Sequence, residues 1–472
     1  MLLWFVVLYL AVSIAIGLVA ALRVHDTRDY VTAGRHLPIY VVFATVFATW
    51  FGAETVLGIS ATFLREGLGG LVSDPFGASL CLVLVGLFFA RPLYRMNLLT
   101  IGDFYRNRYD RPVELVTSIC IALSYLGWVS AQVTALGLVF NVLSQGAISP
   151  AQGMIIGASV VLAYTLFGGM WSVAFTTFFQ MIVIVLGLLY IAYLVSGMAG
   201  GFGAVVSHAA ASGKFEFLPR LEPAALLAFV AAWITMGFGS IPQQDVFQRV
   251  NASKDEATAA WGSILGGCGY FLFAAVPLFL AYAATLIDPK MVAQLIEKDS
   301  QLILPSLIVN HLPLYAQIVF YGALLSVIMS TASGTLLAPS VTIAENVLKG
   351  FLGEMSDRQF LWMTRAVVVC FAVLVTLYSL WADSPIQKMV ENAYKVTLSG
   401  AFVPLVCGLY WRRASTQGAA LAIVAGLTTW IALEVFNPAG LWPPQLAGFL
   451  AALAGMVIGS LLPQWYGAKT MN

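Results

Sequence analysis

Charge is scarce in this sequence. Only 10% of its 472 residues are charged, whereas 60% are hydrophobic and the mean hydropathy is +0.89. A soluble domain of this size needs far more charged residues to cover its surface. Apolar runs of about 18 or more residues recur along the whole chain, and a run of that length can cross a bilayer. The sequence therefore predicts an all-α polytopic membrane protein.

Other absences narrow the function. The five cysteines all lie in apolar segments without metal-ligand spacing, which favours buried thiols over a disulfide framework. The four histidines are scattered, so we expect no metal site built from them. No run of lysine or arginine indicates a nucleic-acid partner. No constellation of catalytic side chains is evident, and we predict that the chain is not an enzyme.

The apolar runs predict about thirteen transmembrane helices. Their approximate bounds are 2–22, 38–64, 69–91, 114–145, 150–168, 175–198, 224–246, 257–286, 313–345, 357–381, 388–411, 417–436 and 444–463. The loops 199–223 and 287–312 are long enough to contain short surface helices. The first span lacks a basic segment before it and is followed by Arg23, which favours a retained helix over a signal peptide.

The basic residues predict the orientation. With the N-terminus outside, 16 of the 23 lysines and arginines fall on the inner side, Lys469 among them, and 6 fall on the outer side; Lys395 lies within a span. Positive residues concentrate on the cytoplasmic side of membrane proteins. We therefore predict an odd number of spans in the plasma (inner) membrane, with the C-terminus in the cytoplasm.

Two spans carry residues that weaken a membrane helix, and each opens a group of five spans. Glycine lowers the cost of unwinding a helix, proline removes a backbone donor, and a carboxylate at bilayer depth is costly. Matched interruptions of this kind are typical of transporter sites, whereas small residues alone also serve helix packing. The interrupting residues are Gly52, Glu54 and Gly58 in span 38–64, and Gly237, Gly239 and Pro242 in span 224–246.

The ninth span is rich in hydroxyl groups. Its segment SVIMSTASGTLLAPS includes Ser330 and Thr331, whose hydroxyls together with the carbonyl of Val327 would suit a hard monovalent cation. The alternative is that these side chains only bond back to carbonyls of their own helix. The residues alone leave both interpretations open.

Five blocks of the sequence resemble the sodium:solute symporter family. They are TIGDFYRNRY from Thr100, YTLFGGMWSVAFTTFFQ from Tyr164, GSIPQQDVFQRVNASK from Gly239, SVIMSTASGT from Ser326, and GLYWRRAS from Gly408. The resemblance implies a five-plus-five inverted-repeat core with broken first and sixth core helices. The expected units are a peripheral helix and inner loop in 1–37, the repeats in 38–198 and 199–411, and two peripheral helices in 412–472.

The resemblance also implies a sodium site. Carried over to this sequence, its ligands are Ala48, Phe51, Val327, Ser330 and Thr331. Many members of the family have an aspartate where this chain has Thr177. That aspartate is associated with a second cation, so the departure favours a single sodium ion.

Within the family, the motifs are most similar to the choline-transporter branch, which places Trp50 and Trp128 in a cation–π cage. The cage is incomplete, because Ala78 and Gln243 stand where that branch has aromatic residues. A choline-like amine, an amino acid and a short carboxylate therefore all remain candidates. The predicted substrate-binding residues are Trp50, Gly52, Glu54, Thr55, Trp128, Gln132, Gly239 and Gln243.

These observations predict a sodium-coupled symporter of a small organic solute that works by alternating access. We expect a monomer or a loose homo-oligomer in the lipid bilayer. The alternative is a solute sensor of the same fold that acts with a signalling partner. The chain ends about ten residues after its last span, which disfavours that alternative.

Three further groups of charged residues have simple structural interpretations. Asp74 is expected to cap the third span. Glu391 and Lys395, four residues apart on one helix, predict a local ion pair. Asp245 and Arg249 have the same spacing and predict a second pair.

Overall fold

The computed structural model describes residues 2–382 and 384–465, and these form helices without any β-strand. Ten of the helical segments in this part of the chain are long and apolar enough to cross a membrane. The prediction of an all-α polytopic membrane protein is therefore confirmed. The end of the predicted unit 412–472, with Lys469, lies outside the described residues.

Twelve α-helices lie in residues 2–252, the last of them directly after the second break. They are α1 Leu2–Ala21, α2 Thr27–Thr32, α3 Ile39–Trp50, α4 Ile59–Glu66, α5 Ala78–Leu84, α6 Ala90–Arg95, α7 Ile101–Arg108, α8 Arg111–Leu143, α9 Pro150–Met198, α10 Phe202–Ala211, α11 Pro223–Gly237 and α12 Gln244–Ala252. Short π-helical segments at 54–58, 72–77 and 85–89 join several of these helices.

Eleven α-helices follow. They are α13 Glu256–Phe273, α14 Ala275–Ile287, α15 Pro289–Lys298, α16 Ile303–His311, α17 Leu314–Thr342, α18 Lys349–Leu352, α19 Asp357–Trp381, α20 Ile386–Thr397, α21 Val403–Tyr410, α22 Thr416–Phe436 and α23 Pro444–Leu461. Further π-helical segments lie at 343–348 and 398–402. The short helices α10, α15 and α16 occupy the two long predicted loops, as expected.

Helix α9 covers two predicted spans and reverses direction at Gly169, whose φ of 48° and ψ of −133° are not helical. The Tyr164 hydroxyl donates to the carbonyl of Met329, and Gly187 packs against Ala323. A straight helix would hold Tyr164 and Gly187 ~35 Å apart, whereas their partners on α17 are only ~9 Å apart along that helix. The chain therefore folds back on itself at Gly169. The exact number of thirteen spans and the bounds of the repeats stay predictions.

Both predicted interruptions are present. The first separates α3 from the π-helical segment that begins at Glu54, and the second separates α11 from α12 over residues 238–243. The start of the first broken span lies against the end of the second. Leu37, just before α3, accepts from the N–H of Lys254 and donates its own N–H to the carbonyl of Ala252 at the end of α12. The two breaks therefore belong to one packed core.

Candidate functional site

The first break frees a backbone carbonyl. Phe51, with φ −84° and ψ 72°, is not helical, and its N–H bonds to the carbonyl of Phe47 at 2.9 Å as α3 ends. The carbonyl of Ala48 accepts instead from two hydroxyls of α17, those of Ser330 at 2.8 Å and Thr331 at 3.4 Å. The break therefore directs a carbonyl of α3 toward the hydroxyl pair of α17.

The same two hydroxyls lie close to the carbonyl of Val327, at 2.9 Å from Ser330 and 3.2 Å from Thr331. These contacts are the bonds within one helix that the alternative interpretation predicts. The contacts with Ala48 cross between two helices and are not part of that alternative. Four buried oxygen atoms thus converge, which is the donor type that hard cations prefer. Phe51, the fifth predicted ligand, is the residue at which α3 ends.

Glu54 follows the break and is held by two other predicted site residues. Its carboxyl group accepts from the indole N–H of Trp128 at 2.9 Å and from the side-chain amide of Gln132 at 2.7 Å. The amide oxygen of Gln132 accepts from the N–H of Ala53 at 2.9 Å. A Cβ at Gly52 would press against the carboxyl group of Glu54, so a larger residue there would displace that group. Helix α8 therefore fixes the carboxyl group and the backbone of the break together.

Three aromatic rings contact one another beside the break. Trp50 lies edge-to-face with Trp128 at 5.6 Å between ring centroids and is stacked with Tyr394 at 6.3 Å. Trp128 and Tyr394 are also 5.6 Å apart, and Tyr125 stacks with Trp128 at 6.0 Å. We call Trp50, Trp128 and Tyr394 the aromatic cluster. Its spacing is typical of paired aromatic rings in a protein core.

The second break packs against α20, the helix that carries Tyr394 of the aromatic cluster. The carbonyl of Gly239 accepts from the hydroxyl of Thr397 at 2.6 Å, and a Cβ on Gly239 would stand 2.6 Å from the carbonyl oxygen of Tyr394. Gln243 donates to the hydroxyl of Ser124 at 2.9 Å. Helix α20 therefore joins the two breaks.

Thr55 belongs to a separate chain of hydrogen bonds. Its hydroxyl is 3.0 Å from the hydroxyl of Tyr270, which in turn donates to the carboxyl group of Asp74. The expectation that Asp74 only caps a helix is wrong, because its side chain reaches across to α13. Burial makes an internal acceptor necessary for the Tyr270 hydroxyl.

Several buried polar atoms around the cluster have no hydrogen-bond partner in the described part of the chain. They include the indole nitrogen of Trp50, the hydroxyl of Tyr394 and the hydroxyl of Ser240. Buried polar groups of folded proteins are nearly always hydrogen-bonded. These atoms are therefore available to a polar ligand.

The two predicted ion pairs have different outcomes. Lys395 bonds to Glu434 of α22 at 3.2 Å, while Glu391 accepts from Ser73 and Gln387, so the predicted Glu391–Lys395 pair is wrong. A neighbouring helix supplies a better-placed carboxylate than the same helix does.

Arg249 and Asp245 do approach each other, at 3.7 Å between Nη1 and Oδ2. Arg249 is also buried against α3, where it donates to the hydroxyl of Thr49 at 2.6 Å and to the carbonyl of Thr45 at 3.3 Å. A Cβ on Gly334 of α17 would stand 2.5 Å from the same guanidinium. This pair therefore does more than stabilise its own helix.

Thr177 is fully buried in α9, and its hydroxyl has no hydrogen-bond partner among residues 2–382 and 384–465. The side-chain amide of nearby Gln180 likewise has none there. Neither residue carries a carboxylate that would attract a second cation.

Sequence reasoning did not identify Tyr394, Tyr125 or Tyr270 as members of the site. Tyr394 lies between Glu391 and Lys395 in the segment ENAYK, where the spacing of the two charged residues indicates an ion pair and nothing marks the ring as a ligand contact. The available signal was the position of Tyr394 on a helix that lines the core. Its partners, however, follow only from the packing of α20 against α3 and α8.

Comparison with known proteins agrees with this architecture. Residues 30–426 match the sodium:solute symporter family. The human high affinity choline transporter 1 is 27% identical over 452 residues, covering 89% of this chain and 74% of that protein. The osmoregulated proline transporter OpuE of Bacillus subtilis is 24% identical over 480 residues, covering 96% and 93%.

Solved structures share the fold. A Na+-coupled sialic acid symporter in a substrate-bound outward-open state superposes with a TM-score of 0.85 at 18% identity, covering 100% of this chain and 99% of that one. A nucleobase-cation-symport-1 family transporter superposes with a TM-score of 0.62 at 16% identity, covering 91% and 94%. Since the family match spans well over half of the sequence, the chain belongs to the sodium:solute symporter family.

Proposed function

We propose that this symporter couples the entry of one sodium ion to the uptake of a small organic solute by alternating access. The observation that carries the proposal is the convergence of the carbonyls of Ala48 and Val327 with the hydroxyls of Ser330 and Thr331. Phe51 would add its carbonyl when the break adjusts to the ion. Because the ligands come from both α3 and α17, a bound sodium ion would hold the two helices together.

The solute site of this proposal lies at the aromatic cluster and the second break. The rings fill the space between them, so a bound solute would replace ring–ring contacts with contacts to ring faces. Tyr394 offers a third face in addition to Trp50 and Trp128, which strengthens the case for an ammonium group bound by cation–π attraction. The unpartnered groups of Trp50, Tyr394 and Ser240 would bind the polar part of the solute.

In this proposal Gly52, Glu54, Gln132, Gly239 and Gln243 shape the site. Gln132 holds Glu54 and the backbone of the first break. Helix α20 packs closely against Gly239 and thereby holds the second break in place. Thr55, bonded to Tyr270, would respond when the first break moves.

A single coupling ion is favoured because Thr177 and Gln180 supply no negative charge. The proposed location is the plasma membrane with the N-terminus outside, and the predominance of positive residues on one side supports this orientation.

A ligand screen tests the function. Purified protein is melted with amino acids, choline-like cations or short carboxylates, in sodium or in potassium chloride. The proposal predicts stabilisation by one class of solute that requires sodium, followed by sodium-driven uptake of that solute into proteoliposomes. A solute that stabilises equally in potassium would contradict coupling, and sodium-dependent binding without uptake would indicate the sensor alternative.

A further inference from the structure

A cavity of about 420 Å³ opens on the side of the protein predicted to face outward. Its walls come from the end of the first broken span, the segment around 296–301 and the beginning of α20. Seven charged side chains line it, three of them basic and four acidic. The basic ones, Arg65, Lys298 and Lys388, are exposed at the rim, as are Glu66 and Glu297.

The floor of this cavity, which we call the vestibule, is closed by a series of hydrogen bonds. The hydroxyl of Thr62 donates to the side-chain oxygen of Gln387, and the amide of Gln387 donates to Oε1 of Glu391 at 3.1 Å. The hydroxyl of Ser73 donates to the same oxygen. The floor therefore joins α4, α20 and the π-helical segment 72–77, and it ends on one carboxylate.

Glu391 has no cationic partner within hydrogen-bond distance among the described residues, since Lys395 is engaged by Glu434 at 3.2 Å. Both of its donors are neutral, and both bond to Oε1. The other carboxylate oxygen, Oε2, accepts no hydrogen bond in the described part of the chain, and the residue lines the vestibule. A half-buried carboxylate with only neutral donors attracts a cation strongly, because little water screens it.

The floor also lies next to the proposed solute site. Glu391 precedes Tyr394 by three residues on α20, which places it about one turn, ~5 Å, along the helix from the aromatic cluster. Glu391 therefore lines the vestibule and lies next to the aromatic cluster.

We propose that the vestibule is an outer binding site for an organic ammonium ion, with Glu391 as its counter-ion. The inference rests on the proposed function only in assuming that the vestibule faces the incoming solute. The positive charge binds against the free Oε2 atom and competes with the Ser73 hydroxyl and the Gln387 amide for the charge of the same carboxylate. The attraction between two opposite charges is stronger than that between the carboxylate and a neutral donor, so binding of the cation is favourable. Release of the two donors also undoes the link between α20 and its neighbours.

The test uses tetramethylammonium as the probe and tert-butanol as a neutral probe of similar bulk. Binding to the purified full chain is measured by thermal stabilisation at constant ionic strength. The variant Tyr394→Leu serves as the background, because it removes one ring of the aromatic cluster and weakens binding there. In that background, Glu391→Gln is expected to weaken the apparent affinity for tetramethylammonium at least about tenfold.

Two further variants separate this role from a structural one. Glu66→Gln removes an exposed carboxylate of the same vestibule and is the matched control, for which we expect no comparable loss. Ser73→Ala leaves the charge of Glu391 and removes a competing donor, so the affinity is expected to rise. Loss of a merely structural link would weaken binding in both Ser73→Ala and Glu391→Gln.

Equal affinity in Glu391→Gln and Glu66→Gln would overturn the proposal, as would equal stabilisation by tert-butanol. If Glu391→Gln does not fold, an unchanged or reduced affinity in Ser73→Ala overturns it. The proposed symport fails on a different result, namely sodium-independent binding of every solute, which leaves the vestibule measurements unaffected.

Discussion

The side-chain amide of Gln132 forms two hydrogen bonds at the first break, donating to the carboxyl group of Glu54 and accepting from the backbone N–H of Ala53. Through this contact α8 holds the first break of the core in one conformation. Replacing Gln132 with leucine leaves the Oε2 atom of the buried Glu54 and the N–H of Ala53 without a hydrogen-bond partner, while Oε1 still accepts from Trp128. We expect the free energy of unfolding to fall by roughly 2 kcal/mol.

Chemical denaturation or thermal melting in detergent measures this loss. The double variant Glu54→Leu/Gln132→Leu is expected to recover part of it, because it removes the unsatisfied carboxylate oxygen, although the N–H of Ala53 still lacks its acceptor. Additive losses in the double variant would show that the contact does not carry the effect.

Tyr394 is expected to contribute a ring face to solute binding. Tyr394→Phe keeps the ring, whereas Tyr394→Leu removes it, so only the leucine variant should lose the cation–π contribution of roughly 0.5–2 kcal/mol. For the ammonium solute that the screen identifies, KM should rise about twofold to thirtyfold in Tyr394→Leu. Equal KM values in the two variants would show that the ring of Tyr394 does not contribute to solute binding.

Arg249 is predicted to be essential for holding α12 against α3. Arg249→Met leaves Asp245 buried without its cation, for which we expect a destabilisation of roughly 3 kcal/mol or more. The double variant Asp245→Asn/Arg249→Met removes the uncompensated charge, and its melting temperature should lie above that of Arg249→Met. A double variant no more stable than the single one would show that the lost contacts to Thr45 and Thr49 dominate.

The segment 287–312 makes a pH-dependent contribution to stability. The N–H of Met291 and the ring of His311, at 3.0 and 2.9 Å, hold the pKa of Asp288 below its ordinary value of 3.8. A carboxyl group with a lowered pKa stabilises the folded state above its ordinary pKa, and the contribution is lost as the pH falls through the lowered value. Asp288→Asn should therefore melt below the wild type at pH 7, by a margin that narrows near pH 3. A margin of the same size at both pH values would contradict this assignment.

Much of the fold follows from the sequence. Membrane spans can be predicted because a helix that crosses the bilayer needs a long apolar run. The glycines and Pro242 indicate both breaks. Family membership makes the protein a transporter and not an enzyme, as the sequence predicts. The predicted spans 150–168 and 175–198 lie on either side of Gly169, the non-helical residue within α9.

The contacts between helices could not be predicted in the same way. Lys395 selects Glu434, thirty-nine residues away, over Glu391 on its own helix. Asp74 reaches Tyr270, and Glu54 reaches Trp128 and Gln132. A buried charge requires a partner, but the sequence does not say which neighbouring helix supplies it.

The central claim is the sodium site between α3 and α17. It is tested most directly by binding of radioactive sodium to the purified protein, which requires no knowledge of the solute. Ser330→Ala/Thr331→Ala removes the two hydroxyls that approach Ala48. The matched control is Ser340→Ala/Thr342→Ala, because those buried hydroxyls of the same helix bond to its own carbonyls, at 2.8 and 3.1 Å.

Each lost contact to a charged group contributes roughly 1.5–3 kcal/mol, so we predict that Ser330→Ala/Thr331→Ala weakens sodium binding at least about tenfold. The control should bind sodium as the wild type does. Wild-type sodium affinity in Ser330→Ala/Thr331→Ala would contradict the account.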